Sequence, residues 1–181
     1  MKLTPRDLTR EEVESLTNVW KARGLIPVLV AVAAAFAAWS LLLPVVPTAV
    51  IDAGQPGSLA GLSTGVFMLA TVITQVFTPW LLRTVGYRAV MAVSSLLLGI
   101  PALGYLLGME PAPLLTVSAI RGVGFGALSV AEAAIIAELV PLRLLGSATG
   151  IFGAVVGLAQ MLALPSGLAL VEVVGYDAVY L

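Results

Sequence analysis

The sequence predicts an all-α membrane protein: a bundle of five transmembrane helices followed by the start of a sixth. Of its 181 residues, 60% are hydrophobic and 10% are charged, whereas about a quarter of the residues in a soluble domain are charged. The mean hydropathy is +1.07. Five apolar stretches each reach the roughly twenty residues that a helix needs to cross a bilayer core. They cover residues 25–50, 59–82, 89–107, 114–137 and 148–171, and a sixth begins at 176–181.

The basic residues give these spans an orientation. Every lysine and arginine except Arg121 lies before the first span, between the second and third, or between the fourth and fifth. These residues are Lys2, Arg6, Arg10, Lys21, Arg23, Arg83, Arg88 and Arg143. The alternate loops carry only the acidic residues Asp52, Glu110, Glu172 and Asp177. Because cytoplasmic loops are enriched in Lys and Arg, we expect a multi-pass plasma-membrane protein with a cytoplasmic N-terminus.

Residues 1–24 predict a cytoplasmic segment that contains a short amphipathic helix. Thr9 and Glu12 have the spacing of a capping box. Three apolar residues then recur at helical intervals: Val13, Leu16 and Trp20. Such a helix would lie at the membrane interface, with the Trp20 ring near the headgroups. A disordered tail is the alternative.

The composition argues against catalysis and metal binding. With no cysteine and no histidine, the chain lacks thiol nucleophiles, imidazole bases and the usual zinc ligands. Glu132, Glu138 and Asp52 are too scattered to form an acid/base pair. We therefore predict no catalytic residue, no metal site and no cofactor. The basic residues form no dense patch, so nucleic acid is not an expected partner.

Glycine spacing predicts helix packing, because close backbone approach drives helix association in lipid. The clearest pattern is in the fifth span, where four glycines follow i, i+4, i+7 and i+11 spacing and form one stripe. They are Gly146, Gly150, Gly153 and Gly157. We expect this stripe to contact a neighbouring helix. Shorter small-residue pairs occur in three other spans, as in Gly122 and Gly126.

Two charges at membrane depth point to a functional site. Arg121 and Glu132 are eleven residues apart in the fourth span, so they share a helix face about 16 Å apart and cannot pair directly. Gln75 and Gln160 are the neutral polar groups best placed beside them. We predict that these four residues line a substrate or proton pathway, since intramembrane ionisable groups mark such pathways. Alternatively, Arg121 pairs with Asp52 and Glu132 with a cytoplasmic arginine, purely to hold helices together.

Two stretches resemble the first half of a Major Facilitator Superfamily transporter. "PWLLRTVGYRAV", residues 79–90, is similar to the family's loop motif after helix two, with Leu81, Gly86 and Arg88 at matching positions. Arg83 stands where the family has an aspartate, and a proline replaces the leading glycine. "RGVGFGAL", residues 121–128, is similar to the fourth-helix R-x-x-x-G pattern.

A third stretch, "GYDAVYL", is similar to the opening of the family's sixth helix. Pro165 and Gly167 only faintly resemble the antiporter pattern of the fifth helix. The resemblance implies twelve helices in two halves, of which this chain would supply five and part of a sixth. We therefore expect a fragment, a truncated product, or one part of a split transporter, completed by a C-terminal half or a partner chain.

The function that the resemblance implies is secondary active transport, with efflux of drug-like or sugar-like small molecules as the expected activity. The expected partners are the lipid bilayer, a small-molecule substrate and the missing half. A non-transporting remnant or membrane scaffold is the alternative, because such a protein could keep the packing pattern without a pathway.

Overall fold

The computed structural model describes residues 13–180, and within that range the chain is helical without a strand. Five long helices follow one another: α1 (Leu25–Asp52), α2 (Gly57–Thr84), α3 (Tyr87–Gly99), α4 (Pro111–Leu139) and α5 (Leu145–Tyr180). A 3₁₀ helix, Ile100–Leu107, continues α3, and shorter 3₁₀ turns occur at Val19–Lys21 and Leu142–Leu144. With its continuation, α3 joins the other four as a helix long and apolar enough to cross a membrane. The predicted all-α fold with five spans is confirmed.

Helix α4 lies at the centre of the bundle. It packs against α2 and α3 along much of its length and also contacts α1 and α5. Helix α5 packs mainly along α1. Buried residues therefore occur all round α4, including Leu114, Ala131 and Ile136, whereas few residues of α5 are buried.

The loops gather at two opposite ends of the bundle, as alternate crossings require. At one end, the acidic end, Gln55 Nε2 donates to Glu110 Oε1 at 3.4 Å, and the Tyr176 hydroxyl donates to Asp52 Oδ2 at 2.6 Å. At the other, the basic end, the Arg143 guanidinium donates to the backbone carbonyl of Glu14 at 3.0 and 3.1 Å. Arg143 also donates to the Leu16 carbonyl. The charge separation read from the sequence is thus a separation in space.

A glycine interrupts α5 near its end. Gly175 has φ 80° and ψ 169°, which is not helical, and a positive φ is a conformation that residues with a Cβ rarely adopt. The turn that follows packs back on the acidic end, where Tyr180 is buried against the Tyr105 ring at a centroid distance of 5.5 Å. The break coincides with the position at which the sequence predicts a sixth segment to begin.

The N-terminal segment departs from the predicted amphipathic helix. Thr9 and Glu12 lie outside the described residues; from residue 13 onward the helical stretch ends at Glu14, and the Val19–Lys21 turn follows. Asn18 caps this turn, its Oδ1 accepting from the Trp20 amide at 3.0 Å. An Asn side chain that bonds local backbone competes with helix continuation. In this turn Val19 is buried and Trp20 is exposed.

The predicted stripe of the fifth span does not pack against this bundle. A Cβ added at Gly146, Gly150, Gly153 or Gly157 would meet nothing within 4 Å. The stripe faces away from the bundle because the opposite side of the helix is buried. Ala148, which is fully buried, follows Gly146 by two residues and therefore lies about 200° round the helix. Close approach in α5 occurs instead at Gly167, where a Cβ would meet the Leu41 carbonyl oxygen and Val45.

Helix α4 shows the close approach that the α5 stripe lacks. A Cβ at Gly124 would lie 2.6 Å from the Leu98 amide nitrogen and 2.8 Å from the Ser94 carbonyl oxygen. Gly126 would meet the backbone of Thr71 at 2.5 Å, and Gly122 would meet the Phe67 carbonyl. Both neighbours, α2 and α3, thus approach the α4 backbone closely at positions where α4 has glycine. The Gly122 and Gly126 pair packs as the sequence predicts.

Candidate binding site around Arg121

Arg121 is buried in the bundle, with 4% of its surface exposed. Its Nε donates to the Leu98 carbonyl at 3.0 Å, and its Nη1 donates to the Tyr105 hydroxyl at 3.4 Å. The guanidinium carbon lies 5.5 Å from the centroid of the Tyr105 ring. All of these partners are neutral, and the two bonds use two of the five guanidinium N–H groups.

The sequence explains why the Leu98 carbonyl is free to accept this bond. At Ile100 the helix tightens to 3₁₀ geometry, in which a carbonyl pairs with the amide three residues on. For Leu98 that residue is Pro101, which has no N–H. The Leu98 carbonyl instead accepts from Arg121 across the α3–α4 interface. Pro101 is the signal in the sequence that points to this acceptor.

A narrow cleft opens beside the guanidinium, between α1, α2 and α4. It holds about 320 Å³ of empty space, and the centre of a water molecule fits in only about 30 Å³ of it. The polar side chains of the lining are Ser63, Thr64, Tyr105, Ser118 and Arg121. The apolar lining includes Leu42, Val46 and Phe67. No carboxylate or carboxamide side chain belongs to the lining, so Arg121 is its only charge.

Trp39 forms part of the same lining and belongs to an aromatic cluster. Its ring stacks on Phe125 at a centroid distance of 4.7 Å and an interplanar angle of 19°, and Phe36 meets both rings edge-on. The Trp39 Nε1 atom is buried and has no hydrogen-bond partner among residues 13–180. Since an indole N–H can only donate, it needs an acceptor. Trp39, Tyr105 and Ser118 were not predicted from the sequence, because they are single aromatic or hydroxyl residues within apolar runs.

Glu132 lies on α4 nearer the basic end and is 1% exposed. Neither of its carboxylate oxygens has a hydrogen-bond partner in the described part of the chain. A charge near the bilayer centre costs about 2.5–3.5 kcal/mol on insertion scales, and an unpaired buried carboxylate adds a desolvation cost. Such a group destabilises the fold and is typical of a functional position.

The two glutamines differ in their placement. Gln75 Nε2 donates to Ser129 Oγ at 3.3 Å, and Ser129 is three residues before Glu132 on α4, one helical turn away. Gln160 is partly buried on α5, and no hydrogen bond within residues 13–180 joins it to Arg121 or Glu132. The structure therefore brings Gln75 to the polar face of α4 and leaves Gln160 apart from it.

The structure contradicts the two ion pairs of the alternative, in which Arg121 pairs with Asp52 and Glu132 with a cytoplasmic arginine. Asp52 accepts its bond from Tyr176, and Arg121 contacts Leu98 and Tyr105. Among the described residues the ion pair present is between Arg143 and Glu14, at 4.0 Å on the exposed surface. Both intramembrane charges thus lack a counter-charge within residues 13–180.

The loop motif between α2 and α3 lies at the basic end. Gly86 precedes α3 with φ 91°, a conformation that favours glycine, and Leu81 packs against the core. Arg88 is exposed, and the Arg83 Nε donates to the Pro79 carbonyl at 3.2 Å. Arg83 also lines a second cleft with Tyr87 and Glu138, whose side chains share a 2.7 Å hydrogen bond. The arginine in the aspartate position of the motif thus lies at the same cleft as a carboxylate of α4.

Residues 13–180 contain no group of three or more carboxylates that could hold a metal ion. The sequence model of the Major Facilitator Superfamily matches residues 28–181, most of the chain. No curated protein matches the chain. Five apolar helices in the order of that family and a family match over this length lead to one conclusion: the chain belongs to the Major Facilitator Superfamily of membrane transporters.

Proposed function

We propose that this protein is a secondary active transporter that exports small molecules, and that the cleft around Arg121 is part of its substrate path. One observation supports the proposal most strongly: a buried arginine with only neutral partners lines an open cleft within an apolar bundle. A purely structural arginine would be expected to have a carboxylate partner, since a buried unpaired charge is costly. A transporter retains such a charge because its substrate contacts it.

Glu132 would carry the coupling proton. Its carboxylate oxygens are buried without partners, and a carboxylate in such surroundings is much cheaper to bury when it is protonated. Alternation between a buried protonated form and a water-exposed ionised form would link substrate movement to a proton gradient. Gln75, held on Ser129, lies between the two charges along α4.

The transport unit also needs a second helix bundle, either from further residues of the same protein or from a partner chain. Transporters of this family rock two bundles about a midplane site, and this chain contributes five spans. The open stripe Gly146, Gly150, Gly153 and Gly157 is the face we propose for that second bundle, since small residues permit close helix approach. Gly153→Leu should then stop transport without lowering thermal stability.

Everted membrane vesicles from cells that produce the protein would test transport. Energised vesicles should accumulate at least one member of a panel containing a monocarboxylate, a cationic dye and a hexose, and a protonophore should abolish the accumulation. Arg121→Gln and Glu132→Gln should each remove it, whereas Arg23→Gln, at an exposed position before α1, should retain it. Absence of gradient-dependent flux for every compound would instead favour a membrane scaffold.

The proposed orientation places the basic end in the cytoplasm. The chain has no cysteine, so single cysteines can be introduced without a background. In intact cells, an impermeant maleimide should label cysteines at positions 52, 110 and 177. A cysteine at position 143 should react only after permeabilisation. Labelling of position 143 from outside would invert the topology.

A further inference from the structure

We infer that the cleft at Arg121 binds a small monoanion with an apolar body, such as an aromatic carboxylate. This inference rests on the proposed transport function and names the substrate class of the same site. It follows from three features of the cleft: its charge, its unused hydrogen-bond donors and its shape.

The charge of the cleft is a single uncompensated positive charge. Arg121 is its only charged residue, and the Arg121 partners Leu98 and Tyr105 are neutral. Asp52 and Glu110, the acids of the nearby loops, are bonded to Tyr176 and Gln55 at the acidic end. A monoanion would neutralise the site. A cation would add a second positive charge, and a neutral molecule would leave the arginine uncompensated.

The unused hydrogen-bond donors of the cleft also require an acceptor. Three of the five Arg121 N–H groups take no part in the two bonds described above, and the buried Trp39 N–H has no partner. Both groups can only donate. The Ser63 hydroxyl already donates to the Ala60 carbonyl at 2.8 Å. A carboxylate supplies acceptors without donors and matches the planar fork of a guanidinium.

The shape and walls of the cleft favour an apolar, flat body behind the carboxylate. The cleft is narrow, since the centre of a water molecule fits in only about 30 Å³ of it, and this favours a small, flat body over a bulky one. Leu42, Val46 and Phe67 form apolar walls, and Trp39 adds an aromatic one. Burial of a ring against such walls adds a hydrophobic contribution.

Fluorescence of Trp39 provides the test. Trp20 and Trp80 are exposed, so Trp20→Phe and Trp80→Phe leave Trp39 as the reporter in an otherwise intact chain. In lipid nanodiscs, benzoate should give a saturable change, and benzyl alcohol and benzylamine should bind about tenfold or more weakly. This series compares ligands on one protein and does not depend on an Arg121 variant.

Variants of Arg121 test whether its charge determines the preference for benzoate. Arg121→Gln should abolish the preference for benzoate, Arg121→Lys should keep part of it, and the matched surface variant Arg23→Gln should leave it unchanged. Equal binding of the alcohol or the amine, unchanged benzoate binding in Arg121→Gln, or no saturable benzoate signal in the millimolar range would each overturn the inference. Gradient-driven transport of neutral or cationic compounds alone would refute the anion class and keep the transport function. Benzoate binding without any transport would refute the transport function and keep the site.

Discussion

Helices α4 and α5 are both rich in glycine, yet α4 is largely buried in the bundle and α5 is largely exposed. In the most apolar 18-residue stretch of each, 61% of α4 is buried and 17% of α5. The glycines of α4 admit the backbones of α2 and α3, whereas Gly146, Gly150, Gly153 and Gly157 of α5 face open space. The difference shows that small-residue spacing marks a helix face capable of close approach. It does not identify the partner of that face.

The same contrast holds for polar groups. Helix α4 carries the two buried charges and the cross-helix hydrogen bond from Thr71 Oγ1 to the Gly122 carbonyl at 3.1 Å. Within the part of the chain that the structure describes, the hydroxyl of Thr149 in α5 bonds only to carbonyls of its own helix, Leu145 and Gly146. Helix α4 is therefore both the packing centre and the polar centre of the bundle, and α5 is its open side. Three substitutions test this division.

The largest effect should come from filling a glycine. Gly124→Leu should destabilise the fold by about 3 kcal/mol or more, because overpacking against backbone cannot be relieved by side-chain movement, and even a Cβ would lie 2.6 Å from the Leu98 amide. The yield of monodisperse protein and its thermal midpoint in detergent would measure the loss. The matched variant Gly153→Leu should fold normally. A Gly124→Leu protein with the wild-type midpoint would contradict the close packing of α3 on α4.

Removal of an unpaired buried charge should have an intermediate effect of opposite sign. Glu132→Leu should stabilise the fold by about 1–3 kcal/mol, since the desolvation cost of two unpaired oxygens disappears, while proton-driven transport is lost. Thermal unfolding and vesicle flux would be measured on the same preparation.

Two controls accompany Glu132→Leu. Glu138→Leu should lower stability, because the Glu138 carboxylate accepts a 2.7 Å bond from Tyr87, and Gln160→Leu on α5 should change it by less than about 0.5 kcal/mol. A destabilised Glu132→Leu variant would show that the folded protein provides this carboxylate with a partner.

The smallest effect should come from Thr71→Val, which removes the hydroxyl bonded to Gly122 and keeps the shape of the side chain. Cross-helix hydrogen bonds in membranes average about 0.6 kcal/mol, so the thermal midpoint should fall slightly. Thr149→Val in α5 should leave it unchanged, because its hydroxyl bonds to the Leu145 and Gly146 carbonyls of its own helix. Equal effects of the two substitutions would show that the two helices do not differ in the stability gained from cross-helix hydrogen bonds.

Part of the candidate site could be predicted from the sequence. A charge within an apolar span is visible without a structure, so Arg121 and Glu132 were found, and Gln75 proved to contact α4. The rest of the cleft could not be found in this way. Trp39, Tyr105 and Ser118 look like ordinary residues of apolar helices, and only their convergence on Arg121 distinguishes them.

The sequence by itself determined the number of spans, the two ends and the positions of the intramembrane charges. Those properties depend on local hydropathy and on the order of charged loops along the chain. The tertiary structure decided which glycine face is occupied, which carbonyl receives Arg121 and which aromatic groups border the cleft. These depend on the rotation and register of one helix against another, including the 3₁₀ stretch around Pro101, and hydropathy carries no information about rotation.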